Sequence, residues 1–212
     1  MKKPSDTLHT LFALLAAAVL MRLIPVFFSG AGSDLPRIYA AQGTITLLCF
    51  GVWPVLLKIR KWPHSNAHRK DSFFLLAGSA LLGVICQAAL GILTEFWTER
   101  TGIARDPGIP IPSTFAEWAA ALMILTLLPA LAEEAFFRGM MLRGLGEVMP
   151  TMPAAAVTTV IFAVAHLSLA ALPALLVFGA VASVLAIKGG KLKYSIAFHL
   201  AYNLTALILS AI

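Results

Sequence analysis

Residues 118–142 read WAAALMILTLLPALAEEAFFRGMML, an apolar run whose second half carries Glu133, Glu134 and Arg138. About 20 helical residues, each rising about 1.5 Å, cross a hydrocarbon core about 30 Å thick, and this run is long enough to do so. Its charges are the anomaly, because a carboxylate at the centre of a membrane helix costs about 2.5–3.5 kcal/mol. What the stretch is follows from the company it keeps along the chain.

That company is apolar throughout. Of the 212 residues 59% are hydrophobic and only 12% charged, against roughly a quarter in soluble chains, and the mean hydropathy is +0.88. No water-soluble surface of this size can be built from such a composition. Further spans appear at 10–28, 38–57, 72–94 and 194–212. Between Pro150 and Ile187 the only ionisable side chain is His166; this stretch is too long for one crossing and divides near Pro173, where a proline can open a new helix. The expectation is an all-α polytopic bundle of about seven transmembrane helices, with residues 1–212 as a single membrane domain and 95–116 as a short external segment. Met1-Lys2-Lys3 precedes the first span, but Arg22 and Pro25 interrupt it and no Ala-x-Ala site follows, so it reads as an uncleaved crossing and not a secretory signal.

Cation placement sets the expected orientation. With the N-terminus inside, Lys2, Lys3, Lys58, Arg60, Lys61, Arg69, Lys70, Arg143, Lys188, Lys191 and Lys193 are cytoplasmic, while only Arg37, Arg100 and Arg105 fall outside. This eleven-to-three bias selects N-in and C-out. The net charge of +6 is thus a statement about loops, and a nucleic-acid partner is not implied. Cys49 and Cys86 both lie in apolar runs and build neither a disulfide framework nor a cysteine metal site.

An intramembrane ionisable residue is a functional candidate by default. Besides Arg22, which can snorkel from near its helix end, the set is Glu133, Glu134 and Arg138, then His166, then His199 with Asn203. Residues four apart share a helix face, which pairs Glu134 with Arg138, Phe162 with His166, and His199 with Asn203. Glu133 is rotated by about 100° from Glu134, so one carboxylate can be neutralised by Arg138 while the other faces elsewhere and takes a different role. Counting about 1.5 Å per residue puts Glu133 roughly 15 Å from Arg143, His199 roughly 9 Å from Lys193 and His166 roughly 20 Å from Pro153. All three can meet between the midplane and the cytoplasmic half.

Peptide hydrolysis inside a membrane needs a nucleophile. The aspartates, Asp6, Asp34, Asp71 and Asp106, all fall in loops or the terminus, which excludes a paired-aspartate protease. There is no H-E-x-x-H. Gly78-Ser79 has no histidine nearby in sequence at a similar depth, and neither cysteine has a neighbouring base. Water activated by Glu133 and a histidine remains.

Glu133-Glu134-Ala135-Phe136-Phe137-Arg138-Gly139 resembles the E-E-x-x-x-R motif of the CPBP intramembrane proteases, the CaaX-protease and bacteriocin-processing family also called Abi. Phe162-x-x-x-His166 is similar to its second motif and His199-x-x-x-Asn203 to its last, with Phe178-Gly179 and Gly189-Gly190-Lys191-Leu192 fitting the stretch between. The resemblance covers about residues 115–207 and marks them as the catalytic core. It implies an all-helical intramembrane endopeptidase in which Glu133 and His166 activate the water, His199 and Asn203 stabilise the oxyanion, and Glu134 and Arg138 form the supporting ion pair. The cofactor is either zinc, held by Glu133, His166 and His199 with an open water position, or none. The implied partners are the lipid bilayer and a peptide or protein substrate, lipidated or with a C-terminal membrane tail. The location is multi-pass in the cell membrane, the inner one if the source is bacterial. Nothing in the chain reads a prenyl group. A non-enzymatic membrane scaffold or immunity protein and a proton-coupled transporter are the competing classes. A relay needs ionisable groups reaching both faces, which the outer half lacks, and a scaffold is expected to tolerate loss of a catalytic-type residue, yet the set is complete.

Overall fold

A computed structural model describes residues 42–44, 46–47, 72–105 and 111–211, and every regular element among them is helical. The span at 10–28, most of that at 38–57 and the loop 58–71 lie outside the described residues, as do Arg22 and Cys49. Helix α1 is Phe73–Thr101, α2 Phe115–Leu145, α3 Thr151–Val164, α4 Leu172–Gly189 and α5 Leu192–Leu209. Of these, α1, α2 and α4 are long and apolar enough to cross a membrane.

The ends are set by local chemistry. Ser72 opens α1 by accepting from the Leu75 N–H at 3.2 Å, and Gly102 closes it with φ +70. Thr114 and Glu117 form a reciprocal capping box at the start of α2. Within α2 the backbone widens into π-helical turns at Leu122–Leu127 and Ala135–Met141. The first immediately precedes Pro129, whose ring and missing N–H would otherwise break an α-helix there. The second follows Glu134 directly and contains Arg138, a placement common at functional sites.

Two of the expected boundaries change. Residues 95–101, the start of the segment expected to be external, are the last turns of α1, since a helix of 29 residues, about 43 Å, is longer than the hydrocarbon core and carries on past it. The stretch after Pro150 does divide, and Pro173 lies in the first turn of α4, but α3 already ends at Val164. His166 therefore lies beyond the end of its helix, not within it.

Helices consecutive in the chain alternate in direction. The Ser72 N–H donates to the Tyr194 hydroxyl oxygen at 3.3 Å, so α1 and α5 start at one end and run parallel. At Gly83 the two backbones approach so closely that a Cβ would collide with the Phe198 carbonyl oxygen. At the far end the Trp97 indole N–H donates to the Leu169 carbonyl at 3.1 Å, and Ala121 packs with Leu207. Leu145 and Gly190 thus lie at the Ser72 end, and Phe115 and Leu169 at the other. The core between them is aromatic, with Phe136, Phe137, Phe162, Phe178 and Phe198 fully buried, whereas Leu81, Ile85, Ile92 and Val160 face outward, as they do in a protein solvated by lipid.

Candidate active site

Arg138 lies one turn after Glu134 and donates to its Oε1 at 2.8 Å, with neither side chain exposed. A second N–H of the guanidinium donates to the Gly179 carbonyl at 3.0 Å, and its face lies over the Phe162 ring at 4.5 Å. The charge is held by α2, α3 and α4 together. His199, from α5, brings Nδ1 to 3.0 Å from the same Glu134 oxygen, and its ring packs edge-on against Phe178 at 4.8 Å. One carboxylate oxygen therefore ties Arg138 to His199.

Glu133 faces another way. Its Oε2 is 3.7 Å from His166 Nε2. The Nδ1–H of His166 donates to the Phe162 carbonyl at 2.8 Å, which orients the ring and leaves Nε2 toward Glu133. The Phe162–His166 pairing expected of a helix face is made instead through the last carbonyls of α3, as the chain turns away. Asn203 lies one turn beyond His199 on the same face, half-buried, and hydrogen-bonds none of these residues among those described. The structure thus gathers Glu134, Arg138 and His199 into one bonded chain, sets Glu133 with His166 beside it, and leaves Asn203 adjacent.

Residues 115–205 match the family model described as type II CAAX prenyl endopeptidase, Rce1-like. This segment is similar to that family. The match agrees with the resemblance to CPBP proteases, and all the motifs lie inside the Rce1-like segment, whereas α1 lies outside it. No curated protein and no solved structure matches the chain. With three helices among the described residues long and apolar enough to cross a bilayer, it is an integral membrane protein with a segment similar to CAAX proteases.

The zinc shell of Glu133, His166 and His199 does not fit these residues. Among the described residues no three histidine, cysteine or carboxylate side chains converge in a way that could hold a metal. The physical reason is that His199 turns Nδ1 to Glu134, while Glu133 and His166 form a separate pair. Two contributors carry no mark in the sequence as read: the Gly179 carbonyl, since any residue can offer one, and Phe178, whose ring walls His199 but resembles any core aromatic.

Proposed function

We propose that the chain is an intramembrane endopeptidase acting on a membrane-associated protein or peptide, lipidated or carrying a C-terminal membrane tail, in the surrounding bilayer. One observation carries the reading: two adjacent carboxylates keep different company, Glu134 fastened by Arg138 and His199, Glu133 opposite the partly exposed His166. With Nδ1–H engaged by a carbonyl, His166 Nε2 and the Glu133 carboxylate are facing proton acceptors. They take a water's proton as its oxygen attacks the scissile carbonyl carbon. The carbonyl electron pair moves onto oxygen, where the Nε2–H of a His199 imidazolium, its Nδ1–H held by Glu134, and the Asn203 amide N–H donate to the oxyanion. The C–N bond then breaks, and the proton held at Glu133 passes to the departing amine. Arg138 and Glu134 hold His199 in position. The aromatic walls of Phe162 and Phe178 strengthen each of these interactions by excluding solvent.

Residues 1–212 form one membrane domain in this reading, with 115–207 as catalytic core and about seven crossings, N-terminus inside and C-terminus outside, in the cell membrane, the inner one in a bacterium. Charge supports the orientation. Arg143, Lys188, Lys191 and Lys193 stand with Glu147 near the Ser72 end, whereas Glu95, Glu99 and Glu117 outnumber Arg100 and Arg105 at the other. Reporter fusions after residue 65 and at Ile212 test it: a periplasmic or external signal at 65, or a cytoplasmic one at 212, reverses the topology.

The chemistry is tested with purified protein in detergent and a quenched-fluorescent peptide ending in a farnesylated cysteine, two aliphatic residues and methionine. Wild type cleaves it, and Glu133→Gln loses about 10²–10⁴-fold in turnover with an unchanged melting temperature. Full activity in Glu133→Gln removes Glu133 from its role. No cleavage by wild type of this or a tail-anchored peptide removes the peptidase reading.

A further inference from the structure

His166 stands beyond the end of α3 and its side chain is 22% exposed, yet in the reaction its Nε2 has to stay opposite Glu133. Its Nδ1–H donates to the Phe162 carbonyl at 2.8 Å. A single hydrogen bond fixes one atom and leaves the imidazole able to swing about it, so the plane of the ring is set by what lies against it. The Phe162 ring lies there, with centroids 4.6 Å apart and planes inclined by 54°. Phe162 thus grips His166 at two points, by backbone and by ring. The Phe162 ring is itself held on several sides. It is 1% exposed and stacks at 16° on Phe178, with centroids 5.4 Å apart. The Phe137 ring meets it edge-on at 5.1 Å, and the Arg138 guanidinium lies over it at 4.5 Å. On the α4 side Gly179 leaves just enough room, since a Cβ there would stand 3.3 Å from Phe162 Cδ1. The guanidinium that fastens Glu134 therefore also braces the ring against which His166 rests.

We infer that Phe162 is a positioning residue, whose ring ties His166 to the Arg138 framework and keeps Nε2 opposite Glu133. The alternative is a phenylalanine that only fills core volume, and the contacts separate the two. Phe198 is as deeply buried, but its ring packs on Phe178 and Tyr202. Phe162 touches Arg138 and His166 directly and meets the His199 ring edge-on at 6.5 Å. A reacting group displaced by about 1 Å can lose about 10²-fold in rate, so a loosened imidazole shows in turnover even where the fold survives. The inference rests on the endopeptidase reading and adds to it the side chain that joins the two halves of the site.

Phe162→Leu and Phe162→Met fill the core without a flat face, and both keep the backbone carbonyl. In each, kcat for the farnesylated probe should fall by about 10–100-fold with KM within about twofold of wild type, whereas Phe198→Leu lowers the melting temperature and keeps kcat. Leucine leaves the larger cavity, so where Phe162→Leu fails to accumulate Phe162→Met decides. Unchanged kcat in the variant that folds, a rise in KM alone, or an equal loss in Phe198→Leu overturns the inference. The hold on the imidazole is read without turnover from the rate at which diethyl pyrocarbonate carbethoxylates His166, followed by mass spectrometry of the peptide that carries it. Faster labelling of His166 in the Phe162 variants than in wild type and Phe198→Leu supports the tie, and equal labelling in all of them overturns it even where wild type cleaves the probe. Wild type that cleaves nothing, with labelling still faster in the Phe162 variants, removes the peptidase reading and leaves the tie in place.

Discussion

The two sides of α2 at Glu133 and Glu134 differ in how their charge is met. On the Glu134 side an arginine and a histidine, from α2 and α5, hold one carboxylate oxygen at 2.8 and 3.0 Å, and the arginine also donates to a backbone carbonyl of α4 at 3.0 Å, all of it buried. On the Glu133 side the facing histidine stands at 3.7 Å, beyond direct hydrogen-bond reach, and part of it is open. In a low-dielectric interior a buried charge needs a partner, and Glu134 Oε1 has two. The closely bonded Glu134 and Arg138 are then framework, and Glu133 with His166, held at longer range, is the proposed reacting pair.

The comparison breaks most visibly at Arg138. Arg138→Ala leaves Glu134 buried without its cation, at a cost of about 3–5 kcal/mol. That is a large share of a typical stability, so the yield of folded protein in detergent should collapse, whereas Glu133→Gln protein accumulates normally. Normal yield and melting for Arg138→Ala would mean that the Glu134 side is not framework. Asn203→Ala sharpens the reactive side: turnover should fall by about 10²–10³ with KM little changed, because an oxyanion donor acts in the transition state. A rise in KM alone would move Asn203 to ground-state substrate binding. The smallest effect is expected at Ser183. It is fully buried, and its hydroxyl has no partner among the described residues, while the carbonyl one turn earlier, Gly179, accepts from Arg138. Ser183→Ala should therefore melt at or slightly above wild type; a loss of more than about 1 kcal/mol would extend the bonded chain around Arg138 to Ser183.

Lipid makes polar residues conspicuous, which is why Glu133, Glu134, Arg138, His166, His199 and Asn203 stand out from sequence alone. The same periodicity that groups them failed at His166. A helix-face argument assumes that the helix continues, and a left-handed leucine at residue 167 leaves no mark in the pattern. Likewise the charge after residue 94 marks the end of the apolar run but not the end of α1, which carries Glu95, Glu99 and Arg100 as helix, with the Arg100 guanidinium over the Phe96 ring at 5.4 Å. Hydropathy marks where the hydrocarbon ends and not where hydrogen bonding does. Which way His199 turns was equally hidden, because a spacing gives a face but not which nitrogen meets Glu134.

The close approach at Gly83 bears on portability. The Rce1-like segment starts at residue 115, so α1 is no part of it, yet the carbonyl that rests on Gly83 belongs to Phe198, the residue just before His199. Tyr194, a little over one turn earlier on α5, is hydrogen-bonded to the cap of α1. A graft of residues 115–205 into another scaffold would inherit every group proposed to react but not the rail along which one of them is set in register. For an engineer the transplantable unit begins at Ser72.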